Sequence, residues 1–540
     1  MEKATLMRNQ HKQRSKLFTG ALALLAICVL GAGALWQLTE PNGDLSQYRC
    51  FALAFWQGSH AVSQFAACHG RLPSGSYPAF RVTPREYPPL ALIPFSAPLL
   101  LGGEVNMTAY VAVFNLLMAA CLIITVLLIA RIWLNDMEHA TATSLSTASP
   151  NQLMSSRAVR LYLLWLTLGA TTIALVRFDA LPALLTVAAL TLARYAARID
   201  LSSSPPSGLR PLGALRSRVH PSPDRKERTR SSRRILFASY GAYGAYALLA
   251  IGALLKLYPA LFIPLLAIWE WRQQRRPANA NRPASPWLMR WRWLGGPLLA
   301  AALTIGVQWA ADLLAQTSGV PWLSVQSRRP PQIESTAAAF LWLGEVLQGR
   351  GGAIRAISVQ RSLAFVEGPG QALGLVTEGL ALLAIAWAAW GLATGAIPLL
   401  RGWAGALLAL MGGATIFSPQ YMIWALPLVA LASAGYGILA RSENLTPRLP
   451  LPQREGVVCA SHQPGLAHTL LIASWTLACL CTTVIYSVGY LLAWPAHTGG
   501  LLALFMLFVL ARDLLVWVCA AILLWPTPSQ VISPQAAASA

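Results

Sequence analysis

Charge is scarce in this sequence. Asp, Glu, Lys and Arg make up 11% of the 540 residues, and acidic residues number 20 against 41 basic ones. A soluble chain of this length would divide into several domains and carry far more charge on its surface, so a soluble globular fold is excluded. Cysteine is sparse as well, with eight residues. No Cys/His group has the spacing of a metal site, and His60 and His69, separated by eight residues, do not match a ligand pair. The sequence has no phosphate-cradling Gly-rich loop, no Ser/His/Asp nucleophile pattern and no internal repeat. Nucleotide, nucleotide-sugar and metal chemistry therefore have no support, and neither a metal nor another cofactor is expected.

Apolar residues are what the chain has instead. They account for 56% of it, with a mean hydropathy of +0.52. They run in blocks such as 116–130 and 501–511 with neither helical nor strand alternation, which is the pattern of a helix facing lipid. Backbone polar groups in lipid must be satisfied within the segment, so the blocks predict helices. Twelve candidate spans follow: 17–38, 108–133, 160–176, 180–197, 235–255, 257–271, 294–315, 373–390, 402–416, 421–440, 468–492 and 501–525. The first resembles a signal peptide at its front, but it is too long for an h-region and no small-residue cleavage site follows, so it reads as an uncleaved span. The expected fold is an all-α polytopic membrane protein of about 12 transmembrane helices.

The net charge of +21 would suggest a nucleic-acid partner in a soluble protein. Here basic loops beside spans set orientation, and membrane lipids rather than nucleic acid are the expected surroundings. The linker 198–234 holds Arg210, Arg216, Arg218, Arg225, Lys226, Arg228, Arg230, Arg233 and Arg234, which places it in the cytoplasm. A thirteenth apolar piece, 88–101, is short and contains Pro88, Pro89, Pro94 and Pro98. A full crossing there would put that linker outside, so the piece is expected to be a re-entrant or juxtamembrane helix, or part of one long bent element. Both termini then lie in the cytoplasm, and 29 of the 41 Lys and Arg residues fall inside, against 11 outside and Arg512 within the last span.

The chain divides into a cytoplasmic basic tail (1–16), a transmembrane module (17–440), a cytoplasmic linker (441–467), a C-terminal two-helix module (468–525) and a tail (526–540). The large module has outside loops 39–107 and 316–371 and cytoplasmic linkers 134–159, 198–234 and 272–293. The composition of 135–157, 198–234 and 442–467 predicts flexible tethers. Aromatic patches around 338–343 predict an amphipathic helix on the membrane surface.

With this orientation five polar motifs interrupt the apolar blocks at one membrane face. They are Asn42-Gly43-Asp44 with Tyr48, Arg85-Glu86-Tyr87-Pro88-Pro89, Arg177-Phe178-Asp179 with Pro182, Lys256-Leu257-Tyr258-Pro259, and Phe417-Ser418-Pro419-Gln420-Tyr421. Ionisable residues at span ends are costly to desolvate and are functional candidates for that reason. Each also has a plainer reading. Asp44 suits a turn or a helix start after Asn42-Gly43. Lys256 can snorkel from a span end. Arg177 and Asp179 can neutralise one another as a local ion pair. Tyr87-Pro88-Pro89 and Ser418-Pro419-Gln420 suit helix starts.

The Asp44 loop with its following Tyr, Tyr87-Pro88-Pro89, Lys256-Leu257-Tyr258-Pro259, and Ser418-Pro419-Gln420-Tyr421 before Trp424 and Pro427 resemble the polyprenol-phosphate-mannose-dependent mannosyltransferases of glycosyltransferase family 87, in the GT-C superfamily. The matching pieces extend from the first loop to the tenth span. A Gly-Gln pair is commoner in that family where this chain has Arg177-Phe178-Asp179. The resemblance implies a GT-C-like fold and an enzyme that takes a sugar, mannose in that family, from a polyprenyl-phosphate donor to a lipid or glycan acceptor on the outer face of the cell membrane.

The chemistry of that transfer fits the residues. A polyprenyl-phosphate leaving group departs without a general acid, so one carboxylate that takes the acceptor hydroxyl's proton suffices, with inversion the favoured outcome. Asp44 is the expected base, in the loop where the family carries it. Lys256, Arg177 and Arg85 are the candidates for holding the donor phosphate. Glu86, Asp179 and Gln420 can orient sugar or acceptor hydroxyls, and Tyr87, Tyr258 and Tyr421 can stack on a sugar face or the isoprenoid. Cys50 and Cys68 both fall in the first outside loop, either as a disulfide bracing it or as two thiols. The alternative reading is a lipid-linked sugar flippase or small-molecule transporter, which ordinarily shows repeats and midplane polar residues. A third is a structural subunit that positions another enzyme.

Overall fold

The structure is a computed structural model. It describes the chain except for residues 1, 40–42, 70–71, 73–75, 85, 104–105, 142–155, 171–172, 203–224, 276–291, 316–329, 351–356, 360–361, 365–368, 443–464, 490–499 and 527–540. Most of the three expected tethers falls outside the described residues, as do Arg85 and Asn42.

The helices that build the bundle and the site are α1 (Glu2–Thr39), α2 (Gly43–Gln57), α3 (Met107–Thr141), α4 (Arg157–Gly169), α5 (Ile173–Val176), α6 (Ala180–Ser202), α7 (Arg225–Leu255), α8 (Phe262–Arg275), α9 (Arg292–Ala315), α10 (Thr336–Leu347), α11 (Gly370–Thr394), α12 (Leu399–Gly413), α13 (Met422–Ser442), α14 (Leu466–Val484) and α15 (Gly500–Leu524). The described β structure is a small antiparallel hairpin that pairs Ile357–Val359 with Ser362–Ala364.

Among the described residues, seven helices are long and apolar enough to cross a membrane: Leu17–Trp36, Met107–Leu134, Ala180–Ala197, Trp293–Ala315, Gly370–Thr394, Leu466–Ser487 and Leu501–Leu524. Their apolar side chains do not all turn inward. Leu24, Ile27, Leu116, Ile305 and Leu382 are exposed, and unbroken apolar surface of that kind belongs against lipid. The chain is an α-helical, polytopic membrane protein.

Helix is also present in the other expected spans, with breaks that the apolar pattern hides. The stretch 160–176 is not one helix: α4 ends at Gly169, and α5 resumes at Ile173. A Cβ at Gly169 would stand 2.9 Å from Cys479 Sγ, so the chain crosses α14 there at a distance only glycine permits. The stretches 257–271 and 421–440 each open with a 3-10 turn, at Tyr258–Leu261 and Pro419–Tyr421, because proline sits at the first helical positions.

The Pro-rich piece forms Pro89–Leu101, a short element of 3-10 and α turns. It is separate from α3, since Gly102 between them takes the left-handed φ of 89°. It packs on α2 and α3. Helix α10 covers the patch at 338–343, and its buried face, from Thr336 to Ala339 with Leu341 and Trp342, lies against α11 and α15.

Helices α6, α7, α9 and α8 pack in series, and α11, α12, α15 and α14 form a second series. Small residues allow the closest approaches in the second. A Cβ at Gly405 would meet Leu524 at 2.6 Å, and one at Gly413 would meet the Thr377 carbonyl at 2.5 Å. Helices α4 and α13 close the middle, and α5 meets the Pro419–Tyr421 turn.

Candidate functional site

Asp44 lies in the first turn of α2, where the helix dipole favours a carboxylate. Its Oδ2 is 2.5 Å from Arg177 Nη2, across the turn that joins α5 to α6. Both side chains retain access, at 25% for Asp44 and 20% for Arg177. Burial opposes the charge on Arg177, but Asp44, Tyr48, Tyr87 and Asp179 together outweigh it and hold the guanidinium above its ordinary pKa.

Asp179, two residues along, turns the other way and is fully buried. Its Oδ1 accepts from Lys256 Nζ and from Trp424 Nε1, each at 2.5 Å. Its Oδ2 is buried with no hydrogen-bond partner among the described residues. The local pair of Arg177 with Asp179, the plainer reading of that turn, is not formed. The two residues divide between separate pairs because Asp179 points into the helix packing and Arg177 points toward α2. Lys256 follows the last turn of α7, where burial lowers its pKa and Asp179 only partly offsets the effect.

Aromatic rings surround Lys256 and continue through Phe178 to the α2 side. The Lys256 ammonium lies 5.1 Å from the Phe178 and Trp424 ring centroids and 5.5 Å from that of Tyr421, distances at which a cation is attracted to the ring face. Trp424 stacks between Tyr421 at 3.9 Å and Tyr258 at 4.2 Å. On the opposite side Tyr48 stacks on Phe95 at 4.2 Å and meets Tyr87 and Phe178 edge-on. Phe178 joins the two walls, since its ring contacts Tyr48, Tyr87 and Phe95 and also faces Lys256. The Tyr48 hydroxyl is buried, which pushes its pKa well up.

All five motifs thus converge through side-chain contacts, and they bring Asp44, Tyr87, Arg177, Asp179, Lys256, Tyr258 and Tyr421 to one place. Glu86 is half-buried and acts electrostatically on Tyr87. Gln420 is buried in the Pro419–Tyr421 turn against α5. Cys50 and Cys68 are joined in a disulfide with a Cα–Cα distance of 5.5 Å, and this ties α2 to the loop beyond it. His69 contacts the Ser63 carbonyl at 3.3 Å.

Sequence reasoning gave no role to Trp424, Phe178, or a polar network behind the Ser418 turn. In that network Gln332 donates to Glu334 and accepts from Ser418 Oγ at 3.2 Å. Arg512 of the last helix donates to the Glu334 carbonyl. Arg512 next to Asp513 inside an apolar span was the available signal, since charge in mid-span is rare. Glu334 lies in a loop and gave none. Ser418 and the Phe417 carbonyl, which this network holds, lead directly into the turn that carries Tyr421, so the network adjoins the site.

No protein-family model matches this chain, and no curated protein or solved structure matches it either.

Proposed function

We propose that this chain is a membrane glycosyltransferase, GT-C-like and of twelve crossings, that moves a sugar from a polyprenyl-phosphate carrier to a lipid or glycan acceptor at the non-cytoplasmic face of the cell membrane. Mannose is the sugar that the motif resemblance favours. The observation that carries the reading is the pairing of Asp44 with Arg177 two residues along the chain from Asp179, which pairs with Lys256 among stacked aromatic rings. It sets a partly accessible carboxylate next to two cations in surroundings of low dielectric, which is what the reaction requires.

In this reading the donor phosphate draws Arg177 and Lys256 toward itself. Arg177 is then shared away from Asp44, whose carboxylate takes the proton of the acceptor hydroxyl. The acceptor oxygen attacks the sugar's anomeric carbon, and the bond from that carbon to the phosphate oxygen breaks. Polyprenyl phosphate leaves with the electron pair, its charge held by the two cations. Tyr258, Tyr421 and Trp424 supply ring faces for the sugar or isoprenoid, while Glu86 and Gln420 orient hydroxyls, and Arg85 is a third candidate for the phosphate. The outward placement of the site rests on the Lys and Arg bias of the loops.

Membranes containing the protein, supplied with radiolabelled polyprenyl-phosphate mannose and a lipid extract, are expected to form a mannosylated product identifiable by mass. Asp44→Asn is expected to lower transfer by about 10²–10⁴-fold while the protein stays folded. Full transfer by that variant would rule Asp44 out as the base.

A further inference from the structure

The last helix carries two charges in its middle. Arg512 and Asp513 lie on α15, which is otherwise almost wholly apolar, and both are fully buried. Ionisable residues at that depth of a span are costly. A buried ion pair is often no better for stability than apolar residues of the same volume, so packing alone does not account for it.

The contacts of Arg512 point elsewhere. Its Nε donates to Asp513 Oδ1 at 2.8 Å, and its Nη2 donates to the Glu334 carbonyl and, at 3.5 Å, to that of Phe417. The guanidinium lies 4.1 Å from the Phe417 ring centroid. Asp513 Oδ2 accepts from Thr336 Oγ1 at 3.2 Å. Together these fix the non-helical stretch between α12 and the Pro419–Tyr421 turn, which is also held by the Gln332 backbone N–H donating to the Thr415 carbonyl. From Phe417 a series of rings leads into the site. Phe417 is stacked with Tyr421 at 6.3 Å, and Tyr421 lies on Trp424 at 3.9 Å. Trp424 donates to Asp179, the carboxylate that holds Lys256.

We propose that Arg512 is a positioning residue that sets the placement of the Asp179–Lys256 pair through the Phe417, Tyr421 and Trp424 stack. The inference deepens the proposed function, because it rests on Lys256 being a ligand for the donor phosphate. Arg512 holds one end of the stack by its charge over the Phe417 ring and by its hold on the Phe417 carbonyl. The other end delivers the indole N–H to Asp179. Loss of the cation frees Phe417 to turn, and the displacement passes along the rings to the hydrogen bond that Asp179 receives.

The test replaces the pair together, as Arg512→Met with Asp513→Leu, so that no buried charge is stranded. In the full chain, in detergent or nanodiscs, the rate at which an amine-acylating reagent modifies Lys256 is followed by mass spectrometry, and the donor KM and kcat are measured alongside. The expected result is several-fold faster modification of Lys256 and a several-fold higher donor KM, with a smaller change in kcat. Phe417→Leu, which interrupts the stack and keeps the ion pair, is expected to do the same, and combining all three changes to add nothing further. It also serves if the pair replacement does not fold. Modification of Lys256 at the parental rate in a folded variant would overturn the proposal. Because labelling is read without sugar transfer, a parental protein that transfers no sugar rejects the proposed function and leaves the labelling result to stand by itself.

Discussion

The Asp179 carboxylate is shared by Lys256 Nζ and Trp424 Nε1 in a setting that gives Asp179 itself no exposure. A charge left alone in such a setting is costly. Lys256→Met is therefore expected to destabilise the protein by about 3–5 kcal/mol, because it strands Asp179. Adding Asp179→Leu should restore most of that loss without restoring donor binding. Thermal unfolding in detergent, with polyprenyl-phosphate binding measured in parallel, separates the two effects. The membership of this centre was legible in the sequence, since Asp44, Arg177, Asp179 and Lys256 are the charges that interrupt apolar blocks at one face. The pairing was not. Residues 177 and 179 are close along the chain, yet their side chains leave the turn in different directions, and only the packing of α2 and α7 decides which partner each one meets.

Among the elements, α2 depends on its fastening. It carries Asp44 in its first turn and Cys50 further along, and the Cys50–Cys68 disulfide binds it to the segment that precedes the Tyr87 turn. Closing a loop of that size stabilises a fold by about 3 kcal/mol on the chain-entropy account. Cys50→Ser with Cys68→Ser is expected to lower the unfolding temperature and to weaken transfer through looser placement of Asp44, with α7 and α15 unaffected. Hydrogen exchange across 43–68, compared with the parental protein, checks this. Apolar runs foretold where helices lie, because burial in lipid leaves that mark, but they did not foretell the break at Gly169, which answers to Cys479 on a helix distant in sequence. The last two spans showed no motif. The adjacent Arg512 and Asp513 marked the last span as unusual, but what they hold became visible only where α15 met α10 and α12.

At the scale of the whole molecule, the seven long apolar helices establish the membrane character, and the charge bias supplies the orientation proposed for it. Cysteines introduced singly into 198–234 should react with a membrane-impermeant thiol reagent only after the membrane is opened, whereas cysteines near Asp44 should react in intact cells. The reverse result would place the paired charges on the cytoplasmic side and remove the outward-facing site with them. The pairing of Asp44 with Arg177, and of Asp179 with Lys256 and Trp424, also bears on how the protein is made. Synthesis delivers Asp44 to the membrane long before its partner emerges, and the arginine that steadies the far end of the stack follows after both pairs. From residue 44 until residue 256 is made, then, the nascent chain holds a carboxylate beside lipid whose cation has not yet been synthesised.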